Sequence, residues 1–398
     1  PLIQGTDQSC ARHCYTRQAT ASSAHRAKSL LPFIHVSHQT SATMITFIVT
    51  TYNLEEWLLR RCLESITAQG IDRESYEIIV VDDESIVSPQ HIIDEFAQKA
   101  NITLYIQEHA RQGAARNLAL QHAKGEWIQF VDGDDYLYTG AIAPLLKLAE
   151  ENNLDLLTYG FNEVGDEAGA TTDHGKGSPS DTSQPNGSNN SQFSILKRSS
   201  LAEGKSNSQL ESGDSYMLHH NLFGSCCTLL FRRSLCEEEC YGAPLRFTEN
   251  IYIEDEEFIT KLVWRAQRMA STNAIAYAYY QRPGSTVHNR SREHTDELFR
   301  NYFIVLKRLI DFEREVVAKP HDGLTRKIRF LAIDILRRAL REPDWKDRWY
   351  RSAMELLRLN LYPIPSANYS WKYRIFRLLA QRSPGRYILR FIEKRQLQ

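Results

Sequence analysis

Three short polar or acidic strings each follow a run of apolar, β-branched residues: Thr50-Thr51-Tyr52-Asn53, Asp82-Asp83-Glu84-Ser85 and Asp132-Gly133-Asp134-Asp135. Carboxylates gathered at one place repel one another unless a cation or hydrogen-bond donors compensate. Hard divalent cations take oxygen ligands and commonly bridge to phosphate oxygens. A spaced Asp-x-Asp can give one carboxylate to such a metal and the other to a ribose hydroxyl, and the glycine between them lets a ligand come close to the backbone. Taken singly, Asp-Gly-Asp-Asp reads as a polar turn; the ordered set of three is the stronger signal. A fourth string, Glu254-Asp255-Glu256-Glu257, has two readings. It is either a helix start with acids on the favourable end of the dipole, or a general base whose like-charged neighbours raise its pKa.

The elements that carry these strings alternate. Ile45 to Val49, Glu77 to Val81, Ile102 to Gln107, Trp127 to Val131 and Leu154 to Tyr159 read as strands. Leu54 to Gln69, Pro89 to Ala100, Gly113 to Ala123 and Ala141 to Asn152 have helical spacing. Continuous apolar strands alternating with helices predict a mainly parallel α/β sheet covered on both faces. Such sheets bind ligands at the carboxyl ends of their strands, where the three strings fall. Residues 162–215 are rich in Gly, Ser, Asn, Asp and Thr and read as a mobile polar insertion. A further ordered block runs from about 216 to 290, and helical patterns dominate beyond it.

The bulk numbers narrow the classes. With 48 basic and 49 acidic residues among 398, a global nucleic-acid polyelectrolyte role has no support. No run of about 18 or more apolar residues occurs, so no simple membrane-spanning helix is expected. Residues 1–43 show no sustained period and no apolar core of a secretory signal; they read as a disordered leader, with Met44 expected as the natural start. Seven cysteines, an odd count, do not suggest a disulfide framework. Cys236 and Cys240 lack two further soft ligands at zinc spacing, so reduced thiols and a cytoplasmic setting are expected.

At this point the chain resembles the family 2 glycosyltransferases of the GT-A fold, over about residues 44–160 and 216–290. The resemblance rests on Ile48-Val49-Thr50-Thr51-Tyr52-Asn53, Val80-Val81-Asp82-Asp83-Glu84-Ser85, Gly113-Ala114-Ala115-Arg116-Asn117 and Phe130-Val131-Asp132-Gly133-Asp134-Asp135. Downstream it continues in Tyr252 to Phe258 and Tyr279 to Ser285. Two departures are visible: Thr51 where proline is usual, and Glu84 where glycine is usual. The resemblance implies a GT-A (Rossmann-like) catalytic domain over 44–290 and a helical C-terminal extension over 291–398. It implies that Thr50 and Tyr52 contact the donor base, that Asp83 accepts a hydrogen bond from it, and that Arg116 lies against the nucleotide. Asp132 would hold the ribose, Asp134 a Mn²⁺ or Mg²⁺ ion, and Asp135 would orient the loop. Asp255 would be the catalytic base, His288 is a candidate second metal ligand, and Arg282 and Ser285 are candidates to steady the diphosphate.

The expected activity is an inverting, metal-dependent transfer from a nucleotide diphosphate sugar, with a UDP-sugar favoured, to a glycan or lipid-linked acceptor of a cell-surface polysaccharide. The rival is a catalytically inactive nucleotide-binding or scaffold protein of the same fold. A dinucleotide oxidoreductase would need a Gly-x-Gly-x-x-Gly turn after the first strand, and Thr50-Thr51-Tyr52-Asn53 is not one. The segment 371–398 holds eight basic residues and one acid, Glu393, among interleaved apolar side chains. It reads either as a helix pair packed on the catalytic domain or, the favoured expectation, as a peripheral contact with the inner face of the cell membrane.

Overall fold

The computed structural model describes residues 44–165, 210–237, 244–282, 291–316, 318 and 321–395. The expected leader, most of the polar insertion, Cys240, Ser285, His288 and the boundary near 290 lie outside the described residues.

Eight strands form one sheet: β1 (Ile45–Thr51), β2 (Tyr76–Asp82), β3 (Ile102–Ile106), β4 (Trp127–Asp132), β5 (Tyr136–Leu137), β6 (Leu156–Val164), β7 (Leu229–Arg232) and β8 (Met269–Tyr280). Their order is β3-β2-β1-β4-β7-β6-β8-β5. The first four in this order are mutually parallel. Every residue of β1 and β2 is buried, which is why both read as unbroken apolar runs rather than alternations. β7 then pairs antiparallel with both β4 and β6. β6 and β8 are parallel, and β5 closes the edge antiparallel to β8. The sheet is thus more mixed than the strand–helix alternation predicts. The turnover occurs at β7, whose four residues are too short to announce a direction.

Helices α1 (Glu56–Thr67), α2 (Gln90–Ala97), α3 (Arg111–His122) and α4 (Ile142–Glu151) follow the early strands. In α1, Leu58, Leu59, Cys62, Leu63 and Ile66 are buried, the three-and-four spacing of a helix with one apolar face. α3 is different, with Gly113, Ala114, Ala115, Arg116 and Asn117 all buried. Its small residues let the helix sit close enough to bring Arg116 into the interior. Short helices α5 (Gly213–His219) and α6 (Ser234–Glu237) precede α7 (Glu254–Arg265).

The C-terminal region is helical: α8 (Arg292–Glu315), α9 (Asp322–Arg341), α10 (Trp345–Arg358), α11 (Trp371–Ala380) and α12 (Ser383–Arg395). It is bolted to the sheet domain through α5 and α7. The Leu324 backbone N–H donates to the Asp214 carboxylate at 3.0 Å, and Arg326 donates to the carbonyls of Met217 and His220 at 2.7 and 2.8 Å. A side chain on Gly323 would sit 1.9 Å from the Asp214 carbonyl oxygen, so only glycine lets α9 approach α5 this closely.

Candidate active site

The end of β4 and the first turn of α7 meet at Arg116. One of its terminal nitrogens donates to Asp132 at 2.9 Å; the other donates to Glu254 at 3.0 Å and to Asp255. Arg116 is 1% exposed. Burial opposes its charge, but Asp255 and Asp132 outweigh that cost and hold its pKa well above the ordinary value. One guanidinium therefore joins a β4-end carboxylate to the first turn of a helix over a hundred residues away in sequence. Arg116, expected to lie against the nucleotide, is held here by three carboxylates.

The β4-end loop depends on a close approach. Gly133 donates its N–H to the Thr50 carbonyl at 3.1 Å, and a Cβ there would lie 2.8 Å from that oxygen. The three acids of the loop have separate partners. Asp132 also accepts from the Gln112 amide at 2.6 Å, and the same amide donates to the Thr50 hydroxyl at 3.2 Å. Asp134 accepts from Arg282 at 2.8 Å, and its carbonyl accepts from Arg61 at 2.7 Å. Asp135 is buried, with the Tyr277 hydroxyl donating at 2.6 Å and the Tyr280 N–H at 2.7 Å; it ties the loop to β8. Burial, then the neighbouring Asp132, raises the Asp134 carboxyl, with Arg282 pulling it back. Burial and repulsion from Asp132 and Asp134 push Asp135 up to about 8.

At the β2 end, Asp83 is buried and accepts from the Gln107 amide at 2.7 Å and the Ala110 N–H at 2.9 Å, with His109 at 2.9 Å from its other oxygen. Tyr52, 47% exposed, stacks on His109 with ring centroids 4.5 Å apart. Glu84 has φ +66°, the left-handed backbone in which glycine is the comfortable residue. The departure from glycine at this position is accommodated by a local bond, the Glu84 carboxylate accepting from the His109 N–H at 3.0 Å.

Helix α7 starts from Ile253 at φ +61°, a rare conformation for a β-branched residue, costing on the order of 1–3 kcal/mol. The strain sits one residue before the acidic turn. Gly113 packs this turn against α3: a Cβ there would meet the Thr248 carbonyl at 3.0 Å and the Glu254 side chain at 3.1 Å. Asn117 fixes the approaching strand-like segment through a two-way amide bond with the Phe247 backbone, at 2.8 and 3.0 Å. Asp255 keeps 16% of its side-chain surface exposed, and its second oxygen faces the Cys226 N–H at 3.4 Å. Its pKa is raised, first by burial, with Arg116 opposing and Asp132 adding to the rise. The expected cause, repulsion from Glu254, Glu256 and Glu257, is thus corrected in its source. Glu256 pairs with Lys327 of α9, and Glu257 with Lys261 and with Arg308 of α8. Glu254 itself is pushed up to about 7 by burial and then by Asp255.

Sequence reasoning brought Thr50, Asp132, Asp134, Arg282, Arg116 and Asp255 to one face, and the structure joins them by the contacts above. It missed His109, Gln112, Tyr277 and Arg61. Gln112 adjoins the Gly113 string, a usable hint; the others carry no local signal. The described cysteines Cys62, Cys226, Cys227 and Cys236 are free and buried.

The curled mixed sheet with flanking helices is the GT-A architecture. Its fold is similar to that of Staphylococcus aureus TarS residues 1–349, solved in complex with UDP-GlcNAc, with TM-score 0.59 at 18% identity over 89% of this chain and 93% of that one. Residues 46–239 match the family described as Glycosyl transferase family 2, and this stretch of the chain is a domain of that family. Relatives in sequence include a poly(ribitol-phosphate) beta-glucosyltransferase of Bacillus spizizenii, 36% identical over 28% of this chain and 18% of that protein. The putative glycosyltransferase EpsH of Bacillus subtilis is 29% identical over 59% of this chain and 60% of its own length. The chain thus matches less than two thirds of the length of either relative.

Proposed function

We propose that the protein transfers a sugar, with inversion, from a UDP-sugar to a hydroxyl of a surface-polysaccharide acceptor. The observation that carries this is the Arg116 clamp, which links Asp132 on the donor side to Asp255, an acid that shares the buried guanidinium with Asp132 and keeps an accessible edge. The TarS complex with UDP-GlcNAc and the poly(ribitol-phosphate) relative support the donor and acceptor classes.

In this reading the uracil lies over the exposed Tyr52 face, beside Asp83, and Asp132 meets the ribose. Arg282 moves from the Asp134 carboxylate to the diphosphate as donor binds, with Ser285 and His288 as further candidates beyond the described residues. The donor set fits a hard divalent cation: Asp134 and Asp132 offer oxygen ligands only, and the raised Asp134 carboxyl is what a cation would relieve. A bound Mn²⁺ or Mg²⁺ would neutralise charge on the departing diphosphate. Asp255 accepts the proton of the acceptor hydroxyl as that oxygen bonds to the anomeric carbon and the bond to the diphosphate breaks. Burial raises the basicity of Asp255 while Arg116 keeps it ionised, the balance a general base needs near neutral pH.

The test is Asp255→Asn, assayed with a panel of UDP-sugars and Mn²⁺. Transfer should fall on the order of 10²–10⁴-fold while UDP still raises the melting temperature. Undiminished transfer by the purified variant would overturn the assignment of the base. The rival scaffold reading expects no donor turnover by the wild type.

A further inference from the structure

The last two helices form a surface that the catalytic reading does not use. On α11 and α12 the side chains of Trp371, Ile375, Leu378, Ile388, Phe391 and Ile392 are exposed, Trp371 at 61% and Phe391 at 58%. A monomer rarely leaves this many large apolar side chains together in water without a use for them. Lys372, Arg374, Arg382, Lys394 and Arg395 are also exposed, and none of the five is paired with a carboxylate among the described residues.

The segment 371–398 has one acid, Glu393. Glu393 is 4% exposed and turned inward, accepting from Arg337 at 2.6 Å and from Arg341 at 2.7 and 2.9 Å, both on α9. Three basic residues are likewise withdrawn: Arg377 donates to the Ile364 carbonyl, Arg386 to that of Ala380, and Arg390 to those of Leu340 and Glu342. The inward bonds fix both helices against the body of the protein. They leave the exposed side chains of α11 and α12 free of acids, with cations and large apolar groups both turned to solvent.

We infer that this face is a docking surface for an anionic phospholipid bilayer, with α11 and α12 lying in the plane of the headgroups. Charge complementarity selects the occupant: five unpaired cations match anionic headgroups, and the aromatic and aliphatic side chains match the acyl boundary beneath them. A second copy of this chain would instead bring five like charges against five. No described helix is long and apolar enough to cross a membrane, so the contact is peripheral. It would hold the Asp255 site at a fixed height above a lipid surface.

The experiment is flotation of the full chain with phosphatidylcholine vesicles, with and without phosphatidylglycerol. The wild type should float with the anionic vesicles and lose binding as salt is raised. Trp371→Ser/Phe391→Ser and, separately, Lys372→Gln/Arg374→Gln/Lys394→Gln/Arg395→Gln should each weaken partition by at least about tenfold. All six side chains are exposed, so melting temperature and its rise with UDP should stay unchanged; this separates a failed membrane contact from a failed donor site. Equal flotation of wild type and both variants would overturn the inference. So would a concentration-dependent dimer, seen by light scattering without vesicle binding and abolished by Trp371→Ser/Phe391→Ser, which would make the face a self-interface.

Discussion

The two acidic strings of this protein look alike on paper and are treated oppositely in space. Glu254 to Glu257 meet four permanent cations: Arg116 serves the first two residues, Lys327 the third, and Lys261 and Arg308 the fourth. These come from α3, α7, α8 and α9, so the turn is a junction where the helical extension grips the sheet domain. Among the described residues, the cations paired with Asp132, Asp134 and Asp135 are a share of Arg116 and Arg282, and Asp135 rests on a hydroxyl and an N–H. Burial first, and then repulsion within the string, raises the Asp134 and Asp135 carboxyls. The compensated string ties helices together, and the base proposed at Asp255 is set into it. The uncompensated string is ready for added positive charge.

Both strings depend on Arg116, so the largest effect is expected there. Arg116→Met should leave three buried or half-buried carboxylates without their cation and cost on the order of 3–5 kcal/mol, read as a fall in the denaturation midpoint. A variant as stable as the wild type would break the view of Arg116 as the shared clamp. Asp134→Ala should separate the strings. It should weaken Mn²⁺-dependent protection by UDP at least about tenfold, measured by thermal shift, without lowering the melting temperature of the free protein, because it removes one repelling charge. Lys327→Ala probes the compensated side and should cost about 1–3 kcal/mol by leaving the mostly covered Glu256 carboxylate without its cation, with donor protection intact.

A pH dependence with a defined sign tests the same contrast. Glu254 and Asp135 have folded-state pKa values raised to about 7 and about 8, above the unfolded carboxyl range near ~4. Their contribution to stability is complete below that range and is lost as pH rises through about 7 and about 8. The free protein should therefore melt lower at pH 9 than at pH 6, each group contributing at most about 1.4 kcal/mol per pH unit. Glu254→Gln should flatten the lower part of this slope. Mn²⁺ with UDP should offset the part belonging to Asp135 but leave that of Glu254, which sharpens the contrast between the strings. A melting temperature that rises from pH 6 to 9 would contradict the burial of both groups.

Much of the sheet was legible because fully buried parallel strands write themselves as unbroken apolar runs, as in Ile45 to Val49 and Glu77 to Val81. β7 and β5 were not, since four and two residues give no period to read and their direction is set by partners far along the chain. The site was legible where backbone constraint and chemistry coincide, as at Gly133 between Asp132 and Asp134. His109 and Tyr277 were silent because nothing local marks a side chain whose partner lies 26 or 142 residues away.

The sequence by itself determined the strand-end positions of Thr50, Asp83 and Asp132 and the presence of an acidic turn at 254–257, because periodicity and residue type are local properties. Only the tertiary structure decided what each acid does. Charge compensation is a matter of distance in space: a carboxylate shares a buried guanidinium at Asp255, tethers a loop to β8 at Asp135, and at Glu393 is an inward anchor that leaves the outer face of α11 and α12 without an acid.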